Sequence, residues 1–355
     1  GQGTVNIVGN FTSGGNFGDI ADSAVDGTSK LEQINISKGN TFTLSAGHNA
    51  SSTRMNINGT VTAQGSANIT SAVTMGADSV LNLTNTGTGG GSTAARVTGA
   101  IDGYAGATGT LNVNGTWSTA GVIGATRAIA AINLDSDNDT ASHTYTFAHN
   151  VNATTITLGT NNAQSTNTTL AIVAGGTSAG VNIAITGNIV GGGNSSSTDN
   201  AAGGRFNVQG NTTVSGNIGS GSGILADIRI EDGTTLTILG ADRNIYANNI
   251  TMNDLGNDLL GTNNATLAFN GTGTTTVNGV IAGETTEGEG LIDINTGTVS
   301  FKNTVGSASN YISGIDIADG STMTTSSNIY ANSTIKVRGT LNIDATGGIT
   351  ITAND

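Results

Sequence analysis

Three aspartates at alternate positions, Asp135, Asp137 and Asp139, have the residue type and spacing of a metal-binding loop. Carboxylate oxygens are hard ligands, and a run of them beside asparagine side chains can bind Ca²⁺. The run is not an EF-hand, because Thr140 stands where that loop needs glycine. Two interpretations stay open: a calcium site, which would make Ca²⁺ the one cofactor of the chain, and a solvated acidic loop.

Histidine and glutamate form two weaker arrangements. His143 and His149 would lie on the same side of a strand that ran unbroken between them, and imidazoles placed in this way can hold a transition metal. Glu284, Glu287 and Glu289 lie in a segment rich in glycine and threonine. Because such segments form turns and loops, we expect all three glutamates to be exposed.

Signatures of catalysis are missing from the sequence. It has no cysteine, no Gly-x-Ser-x-Gly, no His-Glu-x-x-His and no phosphate loop with lysine. Polysaccharide-degrading β-helix enzymes cluster Asp with Arg or Lys in a groove lined by aromatic residues. Here Trp117 is the only tryptophan, and the basic residues are spread along the chain: Lys30, Arg54, Arg96, Arg127, Arg205, Arg229, Arg243 and Lys302, among others. The sequence predicts a protein that is not an enzyme, and a cluster of Asp with Arg or Lys in one groove would argue against this.

Composition excludes several classes of partner and fold. The chain has 24 Asp and Glu against 11 Lys and Arg, so its net charge of −13 excludes nucleic acid and anionic membrane surfaces as partners. Without cysteine it is neither a disulfide scaffold nor a zinc ribbon. No apolar run is long enough to span a membrane, so we expect no membrane insertion of this chain. No signal peptide is recognisable, which leaves a cytosolic chain or a mature exported product, and the sequence repeats favour export.

Apolar and polar residues alternate in short runs throughout the chain, and helical periodicity is nearly absent. Alternation with period two places the apolar side chains of a strand on one face. The clearest runs are residues 4–8, 33–37, 54–58, 80–84, 110–114, 154–158, 227–231, 266–270, 291–295 and 340–344. These runs predict an all-β protein.

Two recurring phrases indicate stacked coils. In the first, an apolar-x-apolar pair is followed by Gly-Thr or a close variant and a new apolar run; it occurs at residues 55–61, 111–117, 228–236, 315–323 and 335–341. The second is Val-x-Gly-x-Ile with a further glycine, or a close variant; it occurs at residues 97–103, 185–191, 214–219 and 277–283. Glycine permits the positive φ of a tight corner, after which the strand resumes. A degenerate coil of roughly 20 residues with insertions fits this spacing.

These patterns predict a right-handed parallel β-helix, also called a β-solenoid, in one elongated domain over residues 1–355. No coil buries its apolar face alone, but a stack of coils builds a continuous core. The segments 86–92, 191–204 and 283–290, rich in Gly, Ser, Asn or Thr, would then be protruding loops. An array of Greek-key sandwiches is the competing fold, although it would normally have proline in its turns and larger aromatic residues in its core.

The second phrase, preceded by threonines in Thr274–Gly283, resembles the passenger domains of bacterial autotransporters. The abundance of Asn, Thr and Gly is most similar to rickettsial surface-antigen passengers such as the outer membrane protein B family, and next to filamentous-haemagglutinin-like proteins. The resemblance implies a secreted β-helix at the cell surface, in a surface layer or an adhesin. It implies no catalytic residues.

We therefore expect an extracellular, non-enzymatic structural protein of the bacterial cell surface or outer membrane. It would form a fibre or surface layer by stacking or side association of solenoids, because residues 1–8 and 348–352 both read as strands without a capping helix. Its loops would provide adhesion to a host-cell receptor or glycan. Two alternatives stay open: a monomeric adhesin passenger domain, and a polysaccharide-degrading β-helix enzyme.

Overall fold

The computed structural model describes residues 3–18, 30–85, 94–135, 142–159, 168–173, 182–192, 203–253, 264–284, 288–344 and 349–353. The chain falls into two compact units, Gly1–Thr169 and Leu170–Asp355. All regular structure in the described ranges is β-strand, and these ranges contain no helix. The single domain predicted for residues 1–355 stays a prediction.

The strands of the first unit are short, and most come in closely spaced pairs. In chain order they are β1 (Thr4–Ile7), β2 (Phe11–Ser13), β3 (Leu31–Ile36), β4 (Thr41–Leu44), β5 (Asn49–Ile57), β6 (Thr60–Gln64), β7 (Asn68–Met75), β8 (Val80–Thr84), β9 (Arg96–Val97), β10 (Ile101–Gly103), β11 (Thr110–Val113), β12 (Trp117–Ser118), β13 (Ile129–Leu134), β14 (His143–Phe147) and β15 (Val151–Leu158). The next strand, β16 (Thr168–Val173), crosses the boundary between the units.

The second unit repeats the same pattern. Its strands are β17 (Ile183–Gly191), β18 (Arg205–Gln209), β19 (Thr212–Val214), β20 (Leu225–Ile230), β21 (Thr235–Ile238), β22 (Asn244–Met252), β23 (Thr266–Phe269), β24 (Thr274–Gly283), β25 (Leu291–Ile294), β26 (Thr298–Phe301), β27 (Gly314–Ile317), β28 (Thr322–Thr325), β29 (Ile329–Ala331), β30 (Ile335–Val337), β31 (Thr340–Ile343) and β32 (Ile351–Ala353).

Strands pair with the strand one coil away, and the described strand pairings are parallel. In the first unit the sheet orders are β1-β3-β5-β7-β10, with β9 also on β7, then β2-β4-β6-β8-β11-β13-β15, and β12-β14. In the second unit they are β17-β19-β21-β23-β25-β27-β30, then β18-β20-β22-β24-β26-β28-β31, and β29-β32. Parallel pairing between successive coils confirms the parallel β-helix and excludes the antiparallel Greek-key sandwich.

The core consists of apolar rows that run from coil to coil. One such row is Phe42, Val61, Leu81, Leu111 and Ile132, whose members are paired in register and fully buried. Burying each large apolar side chain of this kind stabilises the fold by about 1.5–3 kcal/mol. Each run with period two in the sequence lies on one of the strands, so this prediction is confirmed.

Asparagines form ladders on the outer side of the same strands. The Nδ2 of Asn112 donates to the Oδ1 of Asn82 at 2.9 Å, and the Nδ2 of Asn133 donates to the Oδ1 of Asn112 at 2.9 Å. A second ladder lies on β1, β3 and β5, where the Nδ2 of Asn56 donates to the Oδ1 of Asn35 at 2.8 Å and the Nδ2 of Asn35 donates to the Oδ1 of Asn6 at 2.7 Å. Such ladders satisfy the side-chain amides between stacked parallel strands.

The glycines of the first phrase serve two different purposes. Gly115, Gly233 and Gly320 have positive φ values of 96°, 65° and 77°, as the corner interpretation requires. Gly59 and Gly339 do not have positive φ, but a Cβ atom at either position would collide with backbone carbonyl oxygens of the preceding coil. The predicted reason is therefore wrong for these two, because close stacking, not backbone conformation, requires glycine there.

Two of the three loops predicted to protrude fall wholly or largely outside the described ranges, which leave out all of 86–92 and residues 193–202 of 191–204. Their protrusion stays a prediction. In the third loop, 283–290, only residues 285–287 lie outside these ranges, and Gly283, Glu289 and Gly290 are buried.

Candidate ligand cavity and charged clusters

The calcium candidate is described only at Asp135, because Asp137 and Asp139 lie outside the described ranges. Asp135 follows β13 in the left-handed region, with φ at 61°, and is only 7% exposed. Its Oδ2 accepts a hydrogen bond from the Oγ1 of Thr168. The carboxylate is therefore not part of a solvated loop. No group of three His, Asp or Glu side chains suited to a metal occurs in the described part of the chain, and the calcium site stays a prediction.

The two histidines proposed as a metal pair do not share a strand. β14 ends at Phe147, so it does not continue to His149. His143 is buried and meets the ring of Tyr145 edge-on, with ring centroids 6.5 Å apart. The metal-pair hypothesis required one unbroken strand from His143 to His149, and this strand is not formed.

Glu289 corrects the prediction of an exposed glutamate loop. It is only 2% exposed, and its Oε2 accepts a hydrogen bond from the backbone N–H of Glu284. Gly288 and Gly290 on either side have positive φ, so the backbone turns sharply around Glu289. Glu284 is exposed as expected, and Glu287 lies outside the described residues.

A cavity of about 460 Å³ lies in the first unit among β7, β9 and β12. Arg96 opens β9 and pairs in register with Asn68, which opens β7. Trp117 opens β12, the first strand of another sheet. Among the described residues the lining consists of Ser66, Ala67, Asn68, Ala94, Arg96, Thr116, Trp117, Ser118, Thr119 and Ala120.

The cavity brings together polar groups of different kinds. Arg96 is exposed and forms no ion pair with a carboxylate in the described ranges. Trp117 is 5% exposed, and its Nε1 has no hydrogen-bond partner among the described residues. The Oδ1 of Asn68 is buried and likewise has no described partner. Residues that carry a cation, a donor and an acceptor therefore line one cavity, and the donor and acceptor atoms themselves are buried in its wall.

A charged cluster forms on β20 and its neighbours in the second unit. The Nε of Arg229 lies 3.1 Å from the Oε1 of Glu231, and its Nη2 lies 2.7 Å from the Oε2 of Glu284. Asp227, two positions before Arg229 on the same strand, accepts a hydrogen bond from the Oγ1 of Thr251 at 3.0 Å. Two carboxylates thus neutralise Arg229, while Asp227 faces a hydroxyl.

Burial of the Asp227 carboxyl raises its pKa above the ordinary value of 3.8. The hydrogen bond from Thr251 and the charges of Arg205 and Arg229 oppose this effect without cancelling it. Arg205 and Arg229 are far apart in a sequence whose basic residues look scattered, but the coils bring both to one strand region around Asp227. One Asp with Arg neighbours is only part of the arrangement that would argue for an enzyme, which also requires a cluster of Asp in a groove.

A second charged row joins Asp293, Asp316 and Lys336, which are paired in register on successive coils. Asp316 is 3.3 Å from the Nζ of Lys336 and 2.9 Å from the Nη2 of Arg338. Burial raises the pKa of Asp316, but hydrogen bonds from Arg338 and Lys336 outweigh burial and lower it overall. Burial, and then the charge of Asp316, raise the pKa of Asp293.

The sequence shows Arg96 as one of several scattered basic residues and Trp117 as the sole tryptophan, and it does not reveal that both line one cavity with Asn68. The three lie in different strands, and only the coil register brings them together. The Asn68 to Arg96 pairing spans an insertion, residues 86–93, which no regular repeat length would reveal. The one sequence feature that could have indicated the cavity was the sole tryptophan. It begins a short strand, where so large a side chain must pack against a neighbouring coil.

The described part of the chain contains no helix that could cross a bilayer. No protein-family model, curated protein or solved structure matches the chain.

Proposed function

We propose that this chain is a non-enzymatic structural protein of the bacterial cell surface, exported and exposed, that assembles by edge-to-edge stacking of β-solenoid coils. The observation that supports this proposal is that apolar side chains are exposed on or beside strands that have a paired neighbour on one side only. Adhesion through loops and polar faces is the second part of this function.

In the first unit, β1 and β2 are the outermost strands of their sheets in the described residues. Val8 between them is 76% exposed and Phe11 on β2 is 42% exposed. Phe11 stacks on Phe42 of the next coil, with ring centroids 5.9 Å apart. It therefore extends the buried row that includes Phe42 by one residue, to the edge of the sheet. The same edge carries a groove of about 310 Å³ lined by apolar side chains such as Val5, Ile7 and Phe17.

In the second unit, β30 and β31 end their sheets in the same way among the described residues. Val337 and Ile343, which close these strands, are exposed. Unpaired backbone groups and apolar rows at a sheet edge are a template for another strand. A further coil would satisfy both, and we propose that a second copy of the chain supplies it.

Assembly is tested by sedimentation velocity and negative-stain microscopy of the protein over a dilution series, with and without chelator. Val8→Lys places a charge on the proposed stacking edge, and we expect it to shift assembly to higher concentration by at least tenfold. Val280→Lys is the matched control, because Val280 is partly exposed on β24, which is paired on both sides. Monomers at every concentration would refute stacking and favour the monomeric adhesin. Immunogold labelling of intact source cells tests the surface location.

The cluster around Asp227 supports a second candidate, a polysaccharide-degrading enzyme. A carboxyl with a raised pKa can act as a general acid, and the guanidinium group of Arg205, which pairs in register with Asp227, can bind an acidic sugar. The assay is release of reducing ends from polygalacturonate by the wild type and by Asp227→Asn. Release that Asp227→Asn abolishes would establish the enzyme and refute the non-enzymatic proposal, which predicts no release from either protein.

A further inference from the structure

We propose that the cavity among β7, β9 and β12 binds a carboxylated sugar, such as a uronic or sialic acid residue, with Arg96 holding the carboxylate. The inference rests on the adhesive part of the proposed function and names the class of glycan that this face would recognise.

The cation is the first reason. The chain carries a net charge of −13, and two of its six other arginines, Arg229 and Arg338, are held by acidic side chains. Arg96 is exposed at the cavity and has no ion pair with a described carboxylate. A guanidinium group matches a carboxylate in two parallel hydrogen bonds, so a carboxylate is the ligand group that Arg96 fits best.

The neutral lining is the second reason. Hydroxyls of Ser66, Thr116 and Ser118 and the amide of Asn68 surround the cavity. The Oδ1 of Asn68 and the Nε1 of Trp117 have no partner among the described residues, and a buried polar atom without a partner costs stability. A sugar hydroxyl both donates and accepts, so small side-chain rotations on binding would satisfy both atoms.

The size and the apolar part of the lining are the third reason. A volume of about 460 Å³ lies within the range typical of small-molecule sites, about 300–1,000 Å³. Ala67, Ala94 and Ala120 leave room for a ring and offer an apolar surface to its C–H groups. A single cation among hydroxyls, an amide and small apolar groups suits an acidic monosaccharide better than a highly charged phosphate ester.

The sole tryptophan provides the test, because the indole emission of the whole chain comes from Trp117 in the cavity wall. Titrating the dissolved protein with D-glucuronate and with N-acetylneuraminate should produce a saturable emission change. D-glucose, which has a hydroxymethyl group in place of the carboxylate of glucuronate, should bind at least about tenfold more weakly. Saturation-transfer NMR on the glucuronate protons gives a second readout.

Arg96→Gln should weaken glucuronate binding at least about tenfold. Arg54→Gln, an exposed arginine of the same unit outside the cavity, should leave binding unchanged. Equal affinity for glucose, equal affinity for inorganic phosphate, full binding by Arg96→Gln, or no signal in either readout would overturn the proposal. The titration does not require assembly, so its failure is distinguishable from a failure of the stacking experiment.

Discussion

Gly216 offers the sharpest test of coil stacking. It belongs to the second recurring phrase and lies in the second unit, directly over Gly187 of the preceding coil. A Cβ atom at Gly216 would come within 3.0 Å of the Gly187 carbonyl group and of the backbone nitrogen of Asn188. These are backbone atoms, which cannot rotate away as a side chain can, so Gly216→Ala must force the two coils apart.

The cost of Gly216→Ala follows from the bonds that hold these coils together. Ser215 N donates to Ile185 O at 3.0 Å, and Asn217 N donates to the Oδ1 of Asn188 at 2.9 Å. Weakening both bonds costs about 1 kcal/mol each, and overpacking of a tight interior costs about 1–3 kcal/mol. We expect Gly216→Ala to lower the free energy of unfolding by about 3–5 kcal/mol.

The measurement is urea unfolding followed by far-ultraviolet circular dichroism, with hydrogen exchange of peptides that cover β19 as a local readout. Gly221→Ala is the control, because a Cβ at Gly221 meets nothing within 4 Å and its φ is not positive. Removing a flexible glycine at such a site should leave stability unchanged or slightly raised. Equal midpoints and equal exchange for the two variants would refute the close approach of the coils at Gly216.

Further predictions concern the amide ladder, pH and calcium. Asn112→Ala removes two ladder hydrogen bonds and should cost about 1–2 kcal/mol by urea unfolding, whereas Asn248→Ala, on an exposed side chain, should cost little. Because burial raises the pKa of Asp227 above 3.8, the folded state holds that proton more tightly than the unfolded state. Its contribution to stability should therefore fall as pH rises through the window above 3.8, and Asp227→Asn should flatten this part of a plot of urea midpoint against pH. Asp316 has the opposite sign, so Asp316→Asn should reduce the stability loss on acidification below pH 3.8. The calcium hypothesis predicts that Ca²⁺ raises the thermal midpoint of the wild type and not that of Asp135→Asn; no rise in the wild type would refute it.

The fold was accessible from the sequence because one physical requirement repeats along the chain. Each coil must place two or three apolar side chains inward. Both the strand and its buried face can therefore be predicted from alternating pairs such as Leu81 with Leu83 and Ile34 with Ile36. The number of residues in each coil was harder to predict from the sequence. The Asn82 to Thr62 contact spans 20 residues and the Asn112 to Asn82 contact spans 30, so no single period places one coil over the next.

The candidate site was much less accessible, because side chains meet there only through that irregular register. Arg96 reaches Asn68 across one inserted segment, and Asp227 lies near Arg205 and Arg229 because their strands adjoin in β18 and β20. The sequence also predicted the wrong burial for a charged side chain that accepts a hydrogen bond from a backbone N–H group. Glu289 looks like part of a loop by composition, but its carboxylate accepts the Glu284 N–H and is withdrawn from solvent.

Pairing only between successive coils has a mechanical consequence. Force applied to an edge strand loads the hydrogen bonds of a single coil, and the strands beyond it carry no load until that coil has opened. A chain pulled from one edge in an optical trap should therefore lengthen in steps, as coils of 20 to 30 residues detach one after another. Each detached coil adds about 70–100 Å of contour length at about 3.4 Å per residue, so the insertions would be visible as longer steps in a saw-tooth trace.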